Sequence, residues 1–380
     1  MYPDWPRSDA DLVPLPRCEG PKLQPFDFGG PQAMEFLDYV GEGSHAHVFK
    51  VAIRGEIYAL KLFRFTFENN WISPASYTVH GDREVMSAFY EYAEPFSCEC
   101  RAFGRLAEAG REDLAVRCFG YVLLDEAHER ALHARFPDVE FDGDVEYNGG
   151  DEIRTRFLGR DGRAPPIRGI VKQFGNAYKE EEEEEAEEPM LRPPVLRRML
   201  RDVGALQRLG IVRIDVAVRQ LVDGRISDFS TAVTTPHFVT TPELNPRLTP
   251  AMRAAMELET FQLALGDYLA FDDMVLSWNY DHVLEGQRGW RPLDVSAFPG
   301  GRGCGTKHGL RSQAARERLF TFVDPRRYDW KTGKWRQPRG PSGWEYHCSN
   351  RHLVEWLTTG NLPDLSLDWD YKDGFITPRA

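Results

Sequence analysis

The chain has 380 residues, of which 42% are hydrophobic and 12% aromatic, enough to bury the core of one two-lobed domain or two ordinary ones. A net charge of -12 argues against a protein that coats nucleic acid generally, and no segment has the apolar length of a membrane helix. The N-terminal stretch is neither basic nor apolar, so no signal peptide is expected, and six scattered cysteines (Cys18, Cys98, Cys100, Cys118, Cys304, Cys348) suit reduced thiols in the cytosol or nucleus; a cytoplasmic protein is expected.

Residues 1–35 are proline-rich and read as an irregular or wrapped arm. From residue 36 the alternation in "FLDYV", "HVFKVAI" and "IYALKLF" predicts three strands joined by turns at "GEGSHA" and "RGE". "SCECRAFGRLAEAG" reads as a helix, with Cys98, Ala102, Arg105, Leu106 and Ala109 at helical spacing. "LAVRCFGYVLL" reads as buried strand, "DEAHERAL" as a short helix and "PIRGIVKQF" as another strand, closing a β-rich region over residues 36–175.

Residues 176–190 hold a low-complexity insertion, "EEEEEEAEE", whose eight glutamates at 180–188 can only be solvated. "PVLRRMLRDVGALQRLG" then opens a helical region over residues 191–285. In the final region, residues 286–380, the stretch 286–352 carries fourteen Lys and Arg against five Asp and Glu, interleaved with tryptophan, tyrosine and phenylalanine. Basic groups attract phosphate and aromatic faces stack bases. The plainer account is a flank whose aromatics pack on the main body and whose charges complement its acidic surface.

Several short motifs follow one another in a telling order. Gly41 and Gly43 lie in a glycine loop that lets backbone approach a phosphate, Val48 is placed to cover a base, and Lys61 in "YALK" to pair with phosphate oxygens. Farther on, "GIVRIDVAVRQLVDGRISDFSTA" places Asp215 at a catalytic-base position, Gln220 at a metal-ligand position and Asp228 at the head of a metal-binding turn. Glu99 is the leading candidate to pair with Lys61, with Glu84 and Glu91 as competitors. The set resembles a protein kinase, and the resemblance implies an α+β, two-lobed, protein-kinase-like fold with a small β-rich N-lobe, a helical C-lobe and a basic C-terminal extension. Three departures weigh against phosphoryl transfer. Ala46 replaces the third loop glycine, Arg213 and Ile214 replace the His-Arg before the catalytic Asp, and Ala217 replaces the lysine after it.

The phrases "ECRAFGRL", "VRCFGYVLLDE", "RGIVKQF" and "RIDVAVRQLVDGRISDFS" resemble a fungal kinase-like family named after the Fta-two subunit of the kinetochore Sim-four complex, over about residues 36–282. Within it the chain is similar to arginine-containing cyclodipeptide synthases. That similarity implies an aminoacyl-tRNA-dependent transferase of secondary metabolism that joins arginyl-tRNA to a second aminoacyl-tRNA. The resemblance also implies a catalytic acidic motif, for which Asp125, Glu126 and Glu129 are the nearest match. Clustered carboxylates suit the forked donors of an arginyl guanidinium and the proton transfers of amide formation. The plainer account is a first helical turn enriched in acids that favour the helix dipole. Because the aminoacyl ester is already activated, no cofactor is expected.

For the tRNA, Arg326, Arg327, Lys331 and Lys334 are the expected phosphate contacts, and Trp330 and Trp335 the expected stacking faces. Cys304, His308, Cys348 and His352 supply the ligand types of a zinc site, at atypical spacing. Three functions are therefore open: the cyclodipeptide synthase, a kinase-like scaffold subunit of a chromosome-associated complex, and an atypical phosphotransferase using Lys61, Asp215 and Asp228.

Overall fold

The computed structural model describes residues 1–68, 71, 82–142, 152–176, 193–284, 328–329, 334–335 and 367–379. The chain forms two compact units, one of Met1–Gly175, Phe229–Thr231 and Asp368–Arg379, the other of Asn176–Asp228 and Ala232–Leu367. Helices and a small antiparallel sheet make it a mixed α+β protein.

In the first unit the expected alternation yields β1 (Glu35–Glu42), β2 (Ala46–Ile53) and β3 (Glu56–Phe63). Arg54 and Gly55 turn β2 into β3 with φ of 53° and 81°, the double left-handed step that fits the twist of a two-residue hairpin. Two helices follow, α1 (Arg83–Ala93) and α2 (Pro95–Ala109). Asp82 starts α1 by accepting the N–H groups of Glu84 and Val85, and Glu94 starts α2 by accepting those of Phe96 and Ser97, with Pro95 at the first helical position.

After these come β4 (Cys118–Leu123), α3 (Glu126–Arg135), the single turn α4 (Ile153–Arg156) and β5 (Arg168–Gln173). The sheet order is β1-β2-β3-β5-β4, antiparallel throughout. Its core joins Phe49, Leu60, Leu62, Ile170 and Val171 to Phe89, Phe96 and Ala102 of the helices. The two sheet edges are handled differently. The β1 edge carries two register shifts, which blunt it, whereas β4 is covered by the N-terminal segment: Tyr121 accepts the Phe26 N–H at 2.7 Å and donates to the Gln24 carbonyl at 3.0 Å.

The second unit begins with α5 (Pro193–Arg208), whose Leu196, Met199, Leu200, Val203 and Leu206 form one buried stripe. Short strands follow: β6 (Ile211–Val212) pairs with β9 (Val233–Thr234) around the hairpin of β7 (Leu221–Val222) and β8 (Arg225–Ile226). The long helix α6 (Pro250–Leu284) buries Ala264, Phe271 and Val275. A two-residue pairing joins β10 (Tyr328–Asp329) to β11 (Lys334–Trp335).

The chain then returns to the first unit as a hairpin, β12 (Trp369–Lys372) and β13 (Phe375–Pro378). Trp369 is fully buried there, and the Tyr371 hydroxyl donates to Glu84 of α1 at 3.2 Å. The Asp373–Gly374 turn between strands that carry Trp369, Tyr371, Phe375 and Ile376 is the signal that marks this hairpin in the sequence.

Candidate functional site

The densest charge cluster of the first unit is built on α2. Glu99 is fully buried, because α2 lies against the sheet, and it receives the Lys61 ammonium from β3 at 2.7 Å. A second lysine, Lys172 of β5, reaches the other Glu99 oxygen. β3 and β5 are neighbours in the sheet, and Ala59 is the residue opposite Lys172, so the two lysines stand two residues apart in register on adjacent strands. Both are nearly buried, and each ammonium also lies over an aromatic ring, Phe63 for Lys61 and Phe103 for Lys172. The competing carboxylates point elsewhere: Glu84 receives Tyr371, and Glu91 accepts the backbone N–H groups of Arg17 and Cys18.

A second buried group sits beside it. Arg168, fully buried at the start of β5, donates to Glu94 at 3.1 Å, to the Tyr90 hydroxyl at 3.2 Å and to the Arg64 carbonyl at 2.9 Å, with Tyr2 and Phe65 against its guanidinium plane. Burial pushes the Glu94 carboxyl above the usual range against the opposing pull of Arg168. Burial also opposes the Arg168 charge, but Glu94 and Tyr90 outweigh it and raise its affinity for its proton. Lys172 and Arg168 were missed as site residues in the sequence. Cations inside the apolar strand "RGIVKQF" were the available signal, since buried Lys and Arg require partners.

Gly41 lies in β1 opposite Val48, and Gly43 closes the loop by donating its N–H to the Ala46 carbonyl at 2.9 Å. His45, in the same loop, is 3.1 Å from the Ser230 hydroxyl, and the neighbouring Phe229 packs edge-on to Phe103 of α2. Asp228, just before them in the chain, belongs to the second unit.

In that unit Asp215 has a left-handed backbone (φ 52°), as does Arg213 (φ 57°). The Asp215 carboxylate accepts from Arg219 at 2.8 Å and from the Gln220 amide at 3.1 Å. The loop is held from below by a buried carboxylate that the sequence reading did not single out. Asp267 of α6 accepts the N–H of Ile214 at 2.6 Å, that of Arg213 at 3.1 Å and the Gln207 amide at 2.9 Å. Burial pushes the Asp267 carboxyl up to about 7, with the bonds from Gln207, Ile214 and Arg213 pulling the other way.

The acidic motif at α3 has its partners within the fold. Asp125 is the N-cap, accepting the His128 N–H at 2.7 Å and facing its ring at 2.8 Å. Glu126 pairs with Arg163, and both Glu129 oxygens accept from Nη2 of Arg154, at 2.8 and 2.9 Å, with the Ile167 N–H at 2.8 Å. The guanidinium that occupies Glu129 is the protein's own.

Residues 12–233 match the family model described as the kinetochore Sim4 complex subunit FTA2. The chain belongs to this family. No curated protein matches it. The FTA2 match runs from the N-terminal segment through the sheet, the Lys61–Glu99 pair and the Asp215 loop to β9.

Membership in the FTA2 family corrects the enzymatic expectation. The family is named for a subunit of a protein complex, not for an aminoacyl-tRNA-dependent transferase, so neither the cyclodipeptide synthase reading nor arginyl-tRNA and a second aminoacyl-tRNA as partners stands. The catalytic reading of Asp125, Glu126 and Glu129 rested on that activity; in the structure Asp125 caps α3, Glu126 pairs with Arg163 and Glu129 with Arg154. Arg326, Arg327, Trp330 and Lys331 lie outside the described residues, as do Cys304, His308, Cys348 and His352 and the glutamate run; for Lys334 and Trp335 only the backbone of β11 is described. Among the described residues no helix is long and apolar enough to cross a membrane.

Proposed function

We propose that the chain is a kinase-like scaffold, a subunit of a kinetochore complex that works in the nucleus through protein partners. The observation that carries this reading is the FTA2 match over residues 12–233. The kinase-like part draws support from the sheet order and from the order of its parts: a lysine on the third strand, a glutamate on the second helix after it and a loop aspartate in the second unit.

The non-catalytic part draws support from chemistry. A phosphoryl-transfer base must be ready to accept the substrate proton. Asp215 instead carries an ion pair with Arg219 and a hydrogen bond from Gln220, a residue longer than the Asn that holds metal in a kinase. Glu99 is likewise shared between two lysines.

Fluorescently tagged chain, imaged in dividing cells beside a centromere marker, tests the reading. Discrete foci on the marker through mitosis are expected, both for the native sequence and for Asp215→Asn. Diffuse cytoplasmic signal from a full-length, folded protein would overturn the kinetochore assignment, and loss of foci with Asp215→Asn alone would restore a catalytic part to that loop.

A further inference from the structure

The segment ahead of β1 is bound to α2 more closely than a surface arm needs to be. Every residue of α2 from Pro95 to Leu106 is buried, including Glu99, Arg101 and Arg105. A helix buried all round needs cover on two sides. The sheet supplies one, since Glu99 meets Lys61 and Lys172 there. The N-terminal segment supplies the other. Arg101 donates to the Glu19 carbonyl at 3.0 Å and to Cys18 Sγ at 2.8 Å, and the Lys22 backbone passes so close to Gly104 that a Cβ there would lie 2.6 Å from it. Arg101 and Gly104 stand roughly 160° and 140° around the helix from Glu99.

The same segment is anchored on both neighbours of α2. On α1, Glu91 accepts the N–H groups of Arg17 and Cys18. On β4, Tyr121 exchanges backbone bonds with Gln24 and Phe26, its hydroxyl donates to the Val13 carbonyl at 2.6 Å, and a Cβ at Gly120 would lie 2.7 Å from the Phe26 nitrogen. Lys22 stiffens the strap by donating to the carbonyls of Pro16, Arg17 and Cys18. Gly104 and Gly120 are the glycines of "ECRAFGRL" and "CFGYVLL", two phrases whose glycines no catalytic account uses.

We propose that residues 13–28 are a clamp that presses α2 onto the sheet and sets Glu99 between Lys61 and Lys172, so that displacing the segment loosens this ion cluster while the rest of the unit stays folded. Gly104→Ala is the direct probe. Alanine is favoured over glycine inside a helix, so the substitution spares α2 itself and acts against the Lys22 backbone. Phe26→Pro is the second probe, because it deletes the N–H given to Tyr121 and alters nothing on α2.

The full chain and both variants are treated briefly with acetic anhydride, and acetylation at Lys61 and Lys172 is read by mass spectrometry. Parallel samples are nicked with trypsin at Arg17 and Lys22 to report on the segment, and circular dichroism reports on the fold. In at least one variant that keeps the native spectrum, cleavage at Lys22 and acetylation of both lysines are expected to rise together, by about tenfold. A variant cut freely at Lys22 with both lysines as protected as in the native protein would overturn the clamp. So would a segment that stays uncut in both variants, since the close approaches at Gly104 and Gly120 would then not hold it.

Discussion

Two helices of the first unit each carry acidic residues that face arginine or lysine, and they differ in what surrounds the charge. Glu99 of α2 is fully buried and holds two lysines from the sheet, whereas on α3 Glu126 is exposed and Glu129 partly buried, with side chains 58% and 14% exposed, and they hold arginines of a nearby loop and turn. The difference teaches that an acidic motif has no chemistry of its own until burial and partners are known. Coulomb attraction strengthens as water is excluded, and so does the cost of losing one member of a pair.

The sharpest test of that contrast is Glu99→Gln. An amide cannot return the charge that two nearly buried ammonium groups share, and breaking a buried pair from one side costs about 3 to 5 kcal/mol. Urea unfolding monitored by tryptophan fluorescence should show the first unit destabilised by an amount of this order. A loss below about 1 kcal/mol would mean that the lysines are satisfied without Glu99, and the comparison with α3 would lose its ground.

Asp267 extends the comparison to a buried carboxylate held chiefly by N–H groups. Its carboxyl titrates near 7 in the folded chain against an ordinary 3.8, so between those values the folded state keeps a proton that the unfolded state has released. Protons bound in excess by the folded state make stability fall as pH rises. The contribution is therefore most favourable below about pH 4, declines through the window up to 7 and is level above it. Asp267→Asn removes the titration, so the stability of the native protein relative to the variant should drop across that window. A constant difference from pH 4 to 8 would contradict the burial-driven shift.

Local pattern carried much of the fold and little of the site. The strands around Phe49 and Leu60 and the apolar stripe of α5 were legible because alternation and helical period are written in neighbouring residues. Lys61 and Glu99 were legible as candidates because both stand in motif-like phrases. Lys172 and Asp267 were not, because their partners come from strands and helices distant in sequence, and only packing brings them together. The strap over α2 was hidden for a related reason. Its hydrogen bonds are irregular, its periodicity is nil, and the two glycines that admit it lie on other elements. The partners of the acidic phrase at residues 125–129 were hidden in the same way, because Arg154 and Arg163 lie beyond the motif.

On α3 itself the effects should be smaller and unequal. Glu129→Gln loses the ion pair with Nη2 of Arg154 while retaining an acceptor for the Ile167 N–H, and a partly buried, charge-assisted contact of this kind contributes about 2 kcal/mol. The thermal midpoint should fall by several degrees, and the brace between α3, α4 and the approach to β5 should become more open to proteolysis. An unchanged midpoint would show that Arg154 finds equal company in the Pro165 carbonyl it already contacts.

Glu126→Gln should do least. Its carboxylate is more than half exposed, and both Arg130 and Arg163 beside it are themselves in contact with water. Water already solvates each charge, and ordering long side chains offsets most of what the pair contributes, so the expected change is ~0.5 kcal/mol or less and shrinks further with added salt. The cation over the Trp5 ring belongs to Arg163, and that contact survives the substitution. Unfolding curves in low and high salt decide the point. A loss at Glu126 as large as at Glu129, unaltered by salt, would mean that exposure is the wrong measure of these carboxylates, and that the contrast between α2 and α3 rests on geometry rather than on water.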